Sequence, residues 1–395
     1  MPVSNKIRQF MEQGSWIRSM FEEGIQLKQQ YGPDNVFDLS LGNPIIEPPS
    51  QFIDELRRIA LNPQAGMHRY MPNAGYPETR EAIALRLSDE IGVPFTKDEI
   101  LMTCGAGGAL NVVLKSLLDP GNEVVVFAPY FVEYVYYADN HGGICRSVPP
   151  DNRYYPDLDK FKSTLTDKTR VVIINSPNNP TGVVYDHEVL SRLSAIICKK
   201  EKEFGTEIFL VSDEPYRKII FDGLEYPHIF DHHVRGIVAT SHSKDLGLPG
   251  ERIGYIAVHP EYQGRSNLVD ALNFCNRTLG FVNAPALMQH IVKNLQSVTI
   301  DSGEYQSKRD LLFHALTRMG YEMVKPQGAF YMFPRSPIKD DVAFVEELKK
   351  HLVLVVPGRG FGLESHFRIS YCVDDRTLEG CLNGFETAIK TVMSS

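Results

Sequence analysis

The stretch SHSKDLGLPGERIGY, residues 241 to 255, sets one lysine, Lys244, among two serines, an arginine and three glycines, directly after the apolar run GIVAT. A lysine amine attacks carbonyl carbon and, once neutral, serves as a base. Other polar groups share this setting at the end of an apolar run. Asp213-Glu214-Pro215-Tyr216 follows EIFLVS, SPNNPTG with Asn179 follows RVVIIN, and Gly105-Ala106-Gly107-Gly108 follows EILMTC. A carboxylate can hold a proton or a cation, tyrosine and asparagine can hydrogen-bond a ligand, and a glycine turn opening a helix offers N–H groups and a dipole to phosphate.

Each stretch also has a plain reading. The glycines suit a tight turn between strand and helix, the Asn-Pro-Gly segment a loop, Asp213 a helix cap and Lys244 a solvated surface. As a dinucleotide fingerprint the glycine turn is weak, because the third glycine of GxGxxG would fall at Leu110.

Positioning these groups requires a sheet. Between about residues 99 and 260 the short apolar runs EILMTC, EVVVF, ICRSV, RVVIIN, EIFLVS, GIVAT and IGYIAV recur, separated by segments such as GALNVVLKSLL and HEVLSRLSAIICKK with helical apolar spacing. That alternation predicts an α/β sheet flanked by helices, with ligands gathered outside the carboxyl ends of the strands. The chain ends carry more helix-like pattern, as in SGEYQSKRDLLFHALTRMG and DDVAFVEELKKHL, with short strands at GAFYMFP and HFRISY. The expected organisation is a large domain over residues 46–284 and a smaller α+β domain from 1–45 and 285–395.

A chain of 395 residues with 43% hydrophobic content can fill such cores, and a formal net charge of -8 argues against a protein that coats nucleic acid or anionic membrane. Small anions are the expected ligands. The start, MPVSNKIRQFMEQGSWIRSM, has scattered charges and no apolar core of signal length, and no run approaches the ~18 apolar residues of a membrane span, so a cytoplasmic location is expected. Six cysteines without a CxxC pair or zinc-like histidine spacing predict reduced thiols and no metal site.

Seven motifs in one order, SLGNP, YMPNAGYPETREAIA, TCGAGGAL, NSPNNPTG, SDEPY, SHSKDLGLPGERIGY and FRISY, resemble the class I/II, fold-type I aminotransferases that use pyridoxal 5′-phosphate (PLP). The resemblance spans nearly the whole chain and implies a mostly parallel seven-stranded sheet. It implies that Lys244 forms a Schiff base with PLP and then moves a proton as base and acid, while Asp213 keeps the pyridine nitrogen protonated. Tyr216 and Asn179 would bond the phenolic oxygen. Gly105, Ala106, Gly107, Ser241, Ser243 and Arg252 would hold the phosphate, and Phe131 would stack on the ring, although a core phenylalanine is as good a local reading. Arg368, assisted by Gly42, Asn43 and Asn179, would grip the substrate carboxylate.

Tyr70 matches a tyrosine sent to a neighbour's phosphate, which implies a homodimer with shared sites. A second cation for a side-chain carboxylate is not plain: one subgroup has lysine where this chain has Gly107, another has arginine nearest Thr278, and Arg277 or Arg18 are the substitutes at hand. The Asn179-Pro180 bond, in a tight loop, is expected to be cis. The resulting expectation is a ping-pong transaminase acting on an amino acid and a 2-oxo acid. A carbon–sulfur β-lyase on the same fold is the alternative. A PLP-sensing regulatory module is disfavoured, because only about 40 residues precede SLGNP and they lack a basic helix-turn-helix pattern.

Overall fold

The computed structural model describes residues 3–13 and 16–394, without the side chains of residues 12, 13, 17–19 and 21. The first strand, β1 (Phe37–Asp38), belongs to the smaller part of the molecule. Each of the seven apolar runs is then a strand: β2 (Ile100–Thr103), β3 (Glu123–Phe127), β4 (Ile144–Val148), β5 (Thr169–Asn175), β6 (Phe209–Asp213), β7 (Gly236–Ser241) and β8 (Gly254–Val258).

They form one seven-stranded sheet in the order β2-β8-β7-β6-β5-β3-β4. Runs of Val and Ile favour strands because their branched side chains pack well on a pleated surface, and unbroken apolarity requires cover on both faces. Both faces are covered. Val125, Val172, Leu210 and Val238 point into one core, and their neighbours Val124, Val171, Val211 and Ile237 into the other, as a two-residue period demands. The helical segments fall as their spacing predicts, including Gly105–Leu117 and His187–Phe204 on the sheet, and Ser302–Arg318 and Asp341–Lys350 in the smaller part.

The sheet is parallel except for β8, which runs antiparallel to both β2 and β7. This single reversal brings two strand ends together. Thr103 at the end of β2 and Ser241 at the end of β7 both pair with Gly254. The turn that opens the helix Gly105–Leu117 therefore lies beside the turn that carries Lys244. A Cβ on Gly254 would sit 3.0 Å from the Ser241 Cα and 3.1 Å from the Gly105 carbonyl carbon, so only glycine lets the two turns approach.

The smaller part contains β9 (Tyr331–Met332), β10 (Val353–Leu354), β11 (Val356–Pro357) and β12 (Phe367–Ser370), with β11-β12-β9 forming a sheet and β1 pairing β10. Its core draws Leu39, Ile300, Leu312, Phe330, Val355 and Phe385 together with Tyr216, Ile219 and Phe221, which follow β6. Met288, Ile291 and Val292 pack in the core of the large sheet. The two parts are stitched at the NNPTG loop, where the Gly182 carbonyl accepts from the amides of Gln327 and Gly328 at 2.8 and 2.9 Å. The Leu39 amide donates to Leu354 and the Ser370 amide to Leu39, which threads residues 39–42 past β12 towards Lys244.

Overpacking at Gly254 should be costly. Gly254→Ala is expected to lower the stability of the chain by about 1–3 kcal/mol, read as an earlier thermal melt; an unchanged melt would mean that the two turns can separate freely.

Candidate active site

The carboxyl ends of β5, β6 and β7, the turn after β2 and the smaller part enclose a cleft of about 320 Å³. Ala106, Gly107, Phe131, Asn179, Asp213, Tyr216, Ser241, Ser243, Lys244, Arg252, Arg368 and Gly42, all singled out from sequence, line it. A groove of about 770 Å³ between Met319 and the carboxyl-terminal helix is larger but carries none of these groups.

Asp213 ends β6 and is fully buried. Its Oδ2 accepts from the Tyr134 hydroxyl at 2.6 Å, while its Oδ1 is buried with no partner. Burial pushes its pKa up to about 7, and the Tyr134 bond pulls in the opposite direction. Such a carboxyl suits one positively charged N–H donor in the cleft. Asn175, one strand away in register, donates from Nδ2 to the Asp213 carbonyl at 2.8 Å and accepts from the Asn179 amide at 2.7 Å.

Lys244 sits in the short turn after β7, and its Nζ donates to the Gly42 carbonyl at 2.8 Å. Burial brings its pKa down to about 8, with the Arg252 and Arg368 charges acting in the same direction and Cys372 against them. A lysine in that range is available as a neutral amine near neutral pH.

The helix Gly105–Leu117 has no side-chain cap at its amino terminus. Arg252, in left-handed backbone at φ 52°, lies across that turn: a Cβ on Gly105, itself at φ 72°, would stand 2.8 Å from the Arg252 Nη2. Uncapped amides, hydroxyls and a guanidinium together make an anion cradle. On the other wall, Arg368 of β12 is buried between the rings of Tyr331 and Phe361, with both centroids at 4.8 Å. Its Nη1 donates to the Asn179 Oδ1 at 3.1 Å, its Nη2 donates to the Ser40 carbonyl, and its Nε is unpartnered.

Several sequence-based expectations fall elsewhere. Gly105 supports the cradle from behind; Asn43 is exposed, and its carbonyl accepts from the Cys372 thiol. Tyr70 is 91% exposed and away from the cleft. Arg277 is exposed with its guanidinium 5.4 Å from the Phe274 ring centroid, also away from the lining, and the Arg18 side chain lies outside the described residues. The cis bonds are Ala128-Pro129 and Ser176-Pro177, so the expectation for Asn179-Pro180 is corrected. The loop closes otherwise: the Gly182 amide donates to the Asn178 carbonyl and the Thr181 amide to the Asn178 Oδ1.

Tyr134, Tyr137, Asn175 and Tyr331 escaped notice in the sequence. Asn175 ends an apolar run and could have been found by the rule that found Asp213. Tyr331, whose hydroxyl lies 2.9 Å from that of Tyr216, sits in a short strand of another part of the chain.

The sequence model described as "Aminotransferase class I and II" matches residues 34–385. The chain belongs to that family. A protein named probable aspartate aminotransferase from Methanocaldococcus jannaschii is 34% identical over 87% of this chain and 91% of its own length. An aspartate/prephenate aminotransferase from Thermus thermophilus is 32% identical over 92% and 93%. Among solved structures, an amino transferase from Eubacterium rectale is 39% identical, covers 99% of both chains and has a TM-score of 0.96. The Thermus thermophilus aspartate aminotransferase with maleate is 27% identical, covers 98% and 100%, and has a TM-score of 0.85.

The chain is therefore a PLP-dependent transaminase, and its residues fit that cofactor. The unpartnered Asp213 Oδ1 matches a protonated ring nitrogen, and the cradle roofed by Arg252 over Gly105 matches a phosphate. No helix among the described residues is long and apolar enough to cross a membrane.

The raised pKa of Asp213 predicts a pH-dependent instability of the cofactor-free aminotransferase. Because its folded value of about 7 exceeds the unfolded value, folding loses stability as pH rises through that range, by about 1.4 kcal/mol per unit of difference. Asp213→Asn should therefore melt several degrees higher than wild type at pH 8, with the advantage vanishing towards pH 4. Equal melting curves across that range would contradict the burial assigned to this charge.

Proposed function

We propose that this aminotransferase works as a cytoplasmic homodimer, passing an amino group from an α-amino acid to a 2-oxo acid in two alternating half-reactions centred on Lys244, with aspartate the first donor to test. The gathering of Lys244, the half-bonded Asp213 and the ring-clamped Arg368 in one cleft carries this reading. The choice of aspartate rests on what the relatives are named for.

PLP, when bound, supplies an aldehyde for amine exchange and an electron sink for the bond to be broken. Lys244 would be the residue that holds that aldehyde, and its amine, when free, would move the proton at the substrate Cα; its depressed pKa supports both tasks. Asp213 would take the ring N–H on its free Oδ1 while Tyr134 holds Oδ2. Tyr216 and Asn179 would donate to the phenolic oxygen, and Phe131 would pack against the ring. The amides of Ala106 and Gly107, Ser241, Ser243 and Arg252 would hold the phosphate, with Gly105 giving the turn its shape.

Arg368 takes the substrate α-carboxylate with help from Asn179, Gly42 and Asn43, releasing its bond to Ser40. Among the described residues the cations lining the cleft are Lys244, Arg252 and Arg368, and each is thereby engaged. A second carboxylate on an aspartate substrate would be met by a group outside that lining, with Arg277 and Arg18 as the candidates of this chain. The exposed Tyr70 reaches the phosphate of the neighbouring subunit, which makes the dimer two composite sites. The chain divides into a large part that holds the cofactor and a small part from both ends, with the helix Ala286–Val292 siding with the large sheet through its core contacts.

Borohydride treatment of the PLP-loaded protein should leave the cofactor covalently on the peptide containing Lys244. Lys244→Ala should lose that attachment and slow proton transfer by ~10²–10⁴-fold or more, while wild type forms glutamate from aspartate and 2-oxoglutarate and releases no pyruvate or sulfide from cysteine. Label on another lysine, or full turnover by Lys244→Ala, would overturn the assignment.

The shared site has its own measurement. Mixing inactive Lys244→Ala with an inactive Tyr70 variant should restore part of the activity through hybrid dimers; subunit exchange with no recovery would show that Tyr70 serves no neighbouring site.

A further inference from the structure

Behind the cleft, on the far side of the same backbone, lies a second polar space of about 10 Å³. It lies across the chain from the cleft. Asp213, Ser243 and Lys244 line the cleft, Glu214, His242 and Asp245 line this chamber, and Ser241 borders both. Four side-chain atoms of its lining residues are buried with no close hydrogen-bond partner: both carboxylate oxygens of Glu214, on which Ser212 and Tyr226 also act from outside the lining, the Asp245 Oδ1 and the His242 Nε2. Orphaned polar atoms are rare in folded proteins, and several on residues lining one small space mark a site for a bound polar species.

The charges decide which species. Glu214 and Asp245 share the chamber with Arg217 and Lys218, with the Lys218 Nζ 3.5 Å from the Asp245 Oδ2, so two cationic side chains already stand where a metal cation would have to bind. A water molecule can donate one proton to a carboxylate oxygen and the other to the His242 Nε2, which is an acceptor when Nδ1 donates to Asp245, and the chamber is the size of one water. Its walls are firmly tied. The Thr240 hydroxyl donates to the Glu214 carbonyl at 2.9 Å, the His242 Nδ1 lies 3.2 Å from the Asp245 Oδ2, and the Asp245 carbonyl accepts from the Ile300 amide at 2.8 Å.

We propose that Glu214, His242 and Asp245 hold an ordered water behind the active site and act as positioning residues, fixing the turn that carries Lys244 against the strand that carries Asp213. This rests on the roles proposed above for those two residues. The bridge joins the two elements at the residues next in sequence to each, so a loosened chamber changes the distance over which Lys244 works without touching the substrate.

The groups facing the chamber set its charge state. Burial raises the Glu214 pKa to about 7, against the pull of Arg217, Ser212 and Tyr226. Burial works against the charge of Asp245 as well, but His242, Lys218 and Arg217 outweigh it and its pKa is lowered. Arg217 is in turn paired with Glu90 at 2.8 Å, donates to the Tyr255 hydroxyl at 3.2 Å and acts on His228.

A high-resolution crystal structure of the PLP-loaded enzyme should show a water within hydrogen-bond distance of Glu214 and Asp245. Glu214→Gln, nearly isosteric, and His242→Phe should each shift the pH midpoint of the visible absorption band by about half a unit and lower kcat about tenfold. KM and the melting temperature should stay close to wild type, and His242→Asn should recover much of the loss. A chamber free of density, or wild-type midpoints and kcat in both variants, would overturn the proposal. The density decides the water site even if the wild-type protein takes up no cofactor, an outcome that would instead count against the roles assigned to Lys244 and Asp213.

Discussion

A carboxylate buried at the end of a parallel strand, bonded on one oxygen and open on the other, is the constraint around which this cleft is organised. Isolated, Asp213 is an expensive residue, since low-dielectric surroundings oppose its charge. The structure offsets this only in part, through the Tyr134 hydroxyl. The remainder of the penalty is a standing preference for a cationic N–H donor, which is what the role proposed for Asp213 toward a ring nitrogen requires. Lys244 obeys the same logic with the opposite sign: burial and two nearby guanidinium groups disfavour its charge, which leaves a nucleophilic amine where a surface lysine would be inert.

These two perturbed groups can coexist because the sheet delivers them from adjacent strands. β6 and β7 are in parallel register, with Asp213 opposite Ala239, so the residues that follow β7 emerge beside the Asp213 carboxylate. The reversed β8 then admits β2 as the next parallel neighbour, and Gly254 lets the glycine turn close against Ser241. An anion cradle, a lysine and a carboxylate thus arise from one edge of one sheet. The smaller part contributes what the sheet cannot, a guanidinium held between two aromatic rings and aimed back at the loop that carries Asn179.

Much of this was legible in the chain. All seven apolar runs became strands, and the groups that follow them, Gly105 to Gly107, Asn179, Asp213 and Lys244, lie at one end of the sheet because strand ends in a parallel arrangement share a side. Arg368 and Gly42 were legible only through the resemblance to a family, since neither follows a run of the large sheet. The cis expectation at Asn179-Pro180 failed because the loop SPNNPTG holds two X-Pro bonds and takes the cis form at Ser176-Pro177, while the Asn178 side chain closes the turn around Pro180; local sequence does not distinguish the two bonds.

What the sequence determined by itself was the set of strands, the side of the sheet on which polar groups collect and the chemical types available there. These follow from hydrophobic period and from turn chemistry, which act over a few residues. The tertiary structure alone decided strand order, the reversal of β8, and which atoms are left without partners. Tyr134 and Asp213 are 79 residues apart, Arg368 and Asn179 are 189, and no local pattern records that they meet. The chamber behind Lys244 is the clearest case: Glu214 and His242 read as incidental neighbours of functional residues until packing closes the sheet around them and leaves their polar atoms without protein partners. Burial, the largest cause of the shifts at Asp213 and Lys244, is a property of that packing and not of the chain.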